Sequence, residues 1–167
     1  GHGNVHWTAN FDEIQDFEND IRNGFGGTGF LSDEDFDYTS NPLGNPKAGI
    51  SLELDALAMY VSSLIDVPKS PAKKADGSLS TSAEAGRVLF NELDCTSCHS
   101  GSNFIDEQRH VLPTLSEESG LGMGQPLNLL GIETPTLLGL WNTAPYFHHG
   151  KAATLYDVLS QQGHGNA

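Results

Sequence analysis

Cys95-Thr96-Ser97-Cys98-His99 is the segment of this chain best suited to chemistry. Both cysteines of the protein lie in it. Two thiols separated by two residues can be presented by one tight turn to one partner. A bare C-x-x-C pattern suits a disulfide, a redox dithiol or half of a zinc site. No second pair exists, so a structural zinc would need histidines for its other ligands. A redox dithiol should follow a strand in a βαβ unit, whereas this pair follows a helical pattern. The histidine directly after the second cysteine completes C-x-x-C-H, the attachment pattern of c-type haem. On that reading Cys95 and Cys98 form thioethers, and His99 is the proximal iron ligand.

The sixth iron ligand is less sharply marked. His164 stands behind the last helical segment, and histidine is a common axial ligand. Met123, in Gly122-Met123-Gly124, and His110 are the alternatives, and an open site is another. Met59 falls in an apolar helical pattern and reads as core. His2 and His6 read as terminal and inert. A methionine opposite His99 would raise the reduction potential, and a second histidine would lower it.

Elements must hold these groups, and four helices are legible. The first is expected over 10–22, with Phe11, Ile14, Phe17 and Ile21 as its apolar stripe. Asp12, Glu13, Asp16 and Glu18 read as its solvated face. The second is expected over 52–65 after a Ser51 cap, burying Leu54, Leu57, Ala58, Val61 and Leu64 before Pro68. The third, 82–93, opens on a Thr81–Glu84 capping box and carries Ala85, Leu89 and Leu93 one turn apart. Gly86 and Phe90 share a face, which suits either a close helix crossing or a tolerated glycine. The fourth runs over 155–161 behind Thr154. No strand pattern is convincing. Asp33, Asp35 and Asp37 resemble a calcium loop, but the glycine and glutamate that an EF-hand requires are absent. They read as a solvated acidic loop. The irregular stretch 100–153 is long enough to wrap a bound group.

The chain has 167 residues, is 37% hydrophobic and carries a net charge of −14. That charge argues against simple electrostatic binding of nucleic acid or anionic lipid. It suits a redox partner protein with a basic docking face. No apolar run is long enough for a membrane span. Attachment of haem c places the chain in the periplasm or outside the cell, as a mature or excised piece. Gly1-His2-Gly3-Asn4 recurs as Gly163-His164-Gly165-Asn166, either by chance or as a trace of tandem domains.

From residue 51 onward the chain resembles the C-terminal haem domain of bacterial di-haem cytochrome c peroxidases and MauG-like proteins. Thr134-Pro135-Thr136-Leu137, Thr143-Ala144-Pro145-Tyr146-Phe147-His148, Gly150 and Ala153-Thr154-Leu155 follow that family's TPTLR, TAPYFHDGS and ATLEEV patterns. The upstream Leu54-Asp55-Ala56-Leu57 and Ala85-Gly86-Arg87-Val88-Leu89-Phe90 fall in the same order. The resemblance implies an all-α, cytochrome-c-like domain over 51–167, with long irregular loops wrapping one covalent haem. It further implies that Phe90, Pro135, Leu137, Trp141, Tyr146 and His148 line the cofactor. Read locally, Tyr146, Phe147 and Trp141 are packing aromatics. Residues 1–50, with a helix and an acidic, glycine-rich loop, would cover one edge. The sequence departs from the family in three places. Only one C-x-x-C-H is present, so the second, peroxide-reacting haem is missing. His149 replaces an aspartate, and Leu138 replaces an arginine that could meet a propionate. The implied function is single-electron transfer. The alternatives are a peroxidase or MauG-like oxidase with an open or displaceable sixth site, and a gas-binding sensor.

Overall fold

The computed structural model describes residues 3–119, 126–160 and 164. The fold is helical with few strands, as a cytochrome-c-like domain requires. Two compact units divide the chain, Gly1–Asp66 and Val67–Ala167.

In the first unit a 3-10 turn (Ile14–Asp16), one α turn (Phe17–Asn19) and a π turn (Asp20–Gly24) together form helix α1, residues 14–24. His6, Phe11 and Phe17 stack against one another, with ring centroids 4.2 to 5.3 Å apart. The acidic face of α1 is not solvated as the sequence suggested. Asp16 and Glu18 are fully buried. A fully buried Lys47 explains the first: its Nζ donates to Asp16 Oδ1 and to the Thr39 carbonyl, each at 2.7 Å. Backbone and arginine explain the second. Glu18 accepts the Phe30 and Leu31 N–H groups and is paired with Arg22 at 2.9 Å. These partners lie at distant positions, where helical periodicity cannot register them.

Asp33–Tyr38 is not a loop but helix α2, capped by Ser32, which accepts the Asp35 N–H. Helix α3, Leu52–Ser63, begins at the expected Ser51 cap. It buries only Leu54 and Ala58, while Leu57, Val61 and Leu64 are exposed. Asp55 ties α3 to α1 by accepting the Gln15 amide at 2.8 Å. This helix, which the sequence placed with the haem domain, thus packs within the first unit.

The second unit opens with helix α4, Thr81–Glu92. Its cap is Ser80, one residue before the expected Thr81, and Glu84 pairs with Arg87 instead of closing a capping box. No residue of α4 is buried, and nothing comes within 4 Å of the side a Cβ on Gly86 would occupy. Of the two readings of Gly86, the tolerated glycine is the one the geometry supports. Strands β1 (Arg109–His110) and β2 (Ile132–Glu133) pair antiparallel, Arg109 opposite Glu133. At two residues each, they are too short to leave an alternating pattern. Gly131, at φ +77°, lets β2 lie against His110, where a Cβ would meet backbone at 2.6 Å. Helix α5 spans Leu127–Leu130 and α6 spans Leu155–Ser160. Thr154 caps α6 by accepting the Asp157 N–H at 3.1 Å.

Candidate functional site

Helix α4 stops because Asp94 turns left-handed, at φ +56°. The chain then closes a 3-10 turn over Cys95–Ser97, and the His99 N–H donates back to the Cys95 carbonyl at 3.0 Å. This turn leaves Cys95 and Cys98 as free, half-buried thiols beside His99. Phe104, another left-handed residue, aims its carbonyl at His99 Nδ1 from 3.1 Å. A carbonyl only accepts, so Nδ1 carries the proton and Nε2 keeps its lone pair. That is the tautomer of a metal-ligating histidine held by its second hydrogen bond.

The half-buried ring of His164 lies near this one, with centroids 6.4 Å apart and the ring planes inclined at 65°. Two imidazoles bound in line to one metal at about 2.0 Å per metal–nitrogen bond have centroids about 6.3 Å apart. Burial and the nearby His99 push His164 below the usual histidine range, so the ring is neutral near pH 7 and can act as a ligand. Aromatic rings surround the pair. Phe90 is 6.5 Å from His99 and edge-on to Phe104 at 6.3 Å, while Phe147 is 5.6 Å from His164. Val88 and Leu89 on α4, and Leu93 at its C-cap, remain 44%, 54% and 52% exposed. Among the described residues the buried apolar side chains of this unit are Leu127, Ile132 and Ala152 alone. So small a core gains most from a large, flat, apolar body. Paired imidazoles, a fixed tautomer and unburied apolar surface all fit a haem.

Of the alternative ligands, His110 Nε2 is bound to Asp106 at 2.7 Å. Burial alone would raise the Asp106 carboxyl. Hydrogen bonds from Thr134, His110 and the Gln108 N–H outweigh it and hold the carboxyl below its usual range. Cys98, Asp106 and His110 bring their ligand atoms within 4.8 Å of one another, so the dyad flanks the second cysteine. Glu133, nearby, is pushed up by burial and by the charges of Glu107 and Asp106. Met59 is 75% exposed on α3, and Met123 and His2 lie outside the described residues.

The proposed lining residues divide. Phe90 meets His99. Tyr146 donates its hydroxyl to the Leu140 carbonyl at 2.9 Å, Leu137 closes a turn onto Leu140, and Pro135 and Trp141 are exposed. None of those contacts reaches His99. His148 Nε2 lies 2.9 Å from Ser119 Oγ. Phe104, Asp106 and Ser119 meet His99, His110 and His148 and carried no signal in the sequence. Their roles depend on loop returns across up to 29 residues.

Residues 131–164 match the model of the RoxA-like, cytochrome c-like family, and the match ends on His164. That stretch is thus similar to a cytochrome c-like domain. A cytochrome c-like likeness implies haem-based redox work. The chain is 26% identical to hydrazine synthase subunit gamma of Kuenenia stuttgartiensis, across 65% of this chain and 40% of that subunit. Among solved structures it is similar to a MauG-like protein associated with microbial copper homeostasis. There the identity is 20% and the TM-score 0.44, over 68% of this chain and 43% of the other. The chain thus spans about two fifths of the length of each relative.

Proposed function

We propose that this is a mono-haem c-type cytochrome domain that passes single electrons to or from a redox partner outside the cytoplasm. Cys95 and Cys98 tether the haem, His99 is its proximal ligand and His164 its distal ligand. The observation that carries this reading is the 6.4 Å spacing of the two imidazoles. A bound haem supplies an iron that cycles between ferric and ferrous. The residues of this chain keep that cycle cheap. The Phe104 carbonyl fixes the orientation of His99, and the rings of Phe90 and Phe147 pack beside the two imidazoles. Two protein ligands also close the iron to peroxide and to carbon monoxide, which favours transfer over chemistry at the metal. The net charge of −14 suits a partner with a basic docking face.

Visible spectroscopy of the purified protein, ferric and reduced, with and without carbon monoxide, tests this. The expected result is a low-spin spectrum that carbon monoxide leaves unchanged. His164→Ala is expected to keep the covalent haem, turn the ferric form high-spin and admit carbon monoxide. Wild-type protein that binds carbon monoxide readily, or turns over peroxide with an added donor, would instead support a peroxidase-like or gas-sensing domain. Haem that survives denaturation in a Cys95→Ser/Cys98→Ser double variant would contradict covalent attachment.

A further inference from the structure

Apart from the ring pair, three ligand types converge on one place in the second unit. Cys98, Asp106 and His110 each bring a ligand atom within 4.8 Å of the other two. Separate stretches of backbone hold them there. Cys98 ends the 3-10 turn, where its N–H donates to the Cys95 carbonyl. Asp106 is oriented through both carboxylate oxygens: Oδ1 accepts the Gln108 N–H at 3.0 Å, and Oδ2 meets His110 Nε2 at 2.7 Å. His110 lies on β1 opposite Ile132, and Gly131 packs against its backbone. The side chains of His110 and Asp106 are 34% and 14% exposed and Cys98 is half-buried, so none of the three is sealed from solvent.

The donor set selects the ion. A thiolate sulfur, an imidazole nitrogen and a carboxylate oxygen are the three ligand types of zinc, at about 2.3, 2.0 and 2.1 Å. Tetrahedral bonds of those lengths space the ligand atoms about 3.4–3.6 Å apart. The cluster already lies inside 4.8 Å, and the 2.7 Å Asp106–His110 contact has less than about 1 Å to open. Calcium and magnesium take oxygen ligands, so the sulfur and the nitrogen argue against them. Charge balances as well: one thiolate and one carboxylate neutralise a divalent cation, with the imidazole neutral. Binding releases the Cys98 thiol proton. Three protein ligands leave the fourth position to water, since Cys95 is not part of the cluster.

We propose that Cys98, Asp106 and His110 form a zinc site in the haem-free chain. Zinc and haem exclude each other at one atom, because a Cys98 sulfur tied up in a thioether no longer supplies a thiolate. A chain loaded with zinc is therefore closed to haem attachment at Cys98. That exclusion rests on the haem reading above, whereas the metal site itself does not.

The test titrates cobalt(II), a coloured stand-in for zinc, into the whole haem-free chain kept reduced. It reads the thiolate-to-cobalt charge-transfer band in the near ultraviolet. The band is expected to appear, and zinc(II) to bleach it. Cys98→Ser is expected to abolish it, and Cys95→Ser to leave it unchanged. His110→Ala and Asp106→Asn are each expected to weaken binding at least about tenfold, since even outer-shell partners of a metal count for that much. Having both variants keeps the test decisive if one of them does not fold. A chain that shows no thiolate band overturns the site. So does a band that Cys95→Ser abolishes, or one that either His110→Ala or Asp106→Asn leaves at full strength, because the cysteine pair alone would then be the chelator. The haem-loaded chain is expected to give no band. A thiolate band in that form contradicts the Cys98 tether of the proposed function and leaves the metal site standing.

Discussion

On the proposed reading, His99 and His164 set the chemistry at the scale of single residues, and substitutions there have directed outcomes. His164→Met should raise the reduction potential, within the roughly 0.8 V that axial ligands span, because a thioether replaces the second imidazole. Protein-film voltammetry of the two forms checks the direction. Acid should act on a different pair. Burial first, and then neighbouring charge, holds His148 and His149 below the ordinary 6.5. A depressed folded value means stability that is present above about pH 6.5 and is lost as pH falls through the lower folded value. Denaturant midpoints measured downward from pH 7 should therefore fall, and His148→Asn should flatten that fall. Cys95, Cys98 and His99 were legible in the sequence because one turn brings them together. The Phe104 carbonyl on His99 and the Ser119 hydroxyl on His148 were not, because residue type does not mark which loop atom turns onto a histidine ring.

At the scale of elements, the buried ion pair of the first unit makes the sharpest prediction. Lys47→Met strands the Asp16 carboxylate in the interior, which should cost about 3–5 kcal/mol. Adding Asp16→Leu should recover most of it, read from urea unfolding of both variants. The cap of α4 is a smaller element of stability. Ser80→Ala removes the hydroxyl that accepts the Ala83 N–H, and should cost about 1 kcal/mol. Helices α3, α4 and α6 were visible in advance because caps and apolar spacing are local signals. Which faces they bury was not. The expected apolar faces of α3 and α4 are largely exposed, and the expected solvated face of α1 holds two buried carboxylates. Hydrophobic periodicity registers what a helix can bury, while Lys47, Arg22 and the Phe30 and Leu31 amides decide what it does bury. Helix α2 was missed because its run of aspartates reads as a loop until Ser32 is seen to cap it.

At the scale of the whole molecule, charge and cofactor dominate. With a net charge of −14, electron exchange with a basic small redox protein should slow as salt rises from about 10 mM to 300 mM, as screening shortens the Debye length from about 30 Å to below 8 Å. A partner rate independent of salt would remove charge from the account of docking. The second unit has few buried apolar side chains among its described residues, so its stability is expected to depend on the haem. The cytochrome-c-like character of the chain was readable from C-x-x-C-H and the motifs of 134–155. The division at residue 66 was not, because Asp55, Gln15 and Gly49 bind α3 to the first unit through hydrogen bonds that leave no pattern in the sequence. The central claim is that two imidazoles share one iron. Low-temperature electron paramagnetic resonance of the ferric protein tests it most directly, with His164→Ala measured beside wild type. The account predicts a low-spin signal of two histidine ligands in wild type and a high-spin signal in the variant. A high-spin wild type, or a low-spin signal that His164→Ala leaves in place, would contradict it.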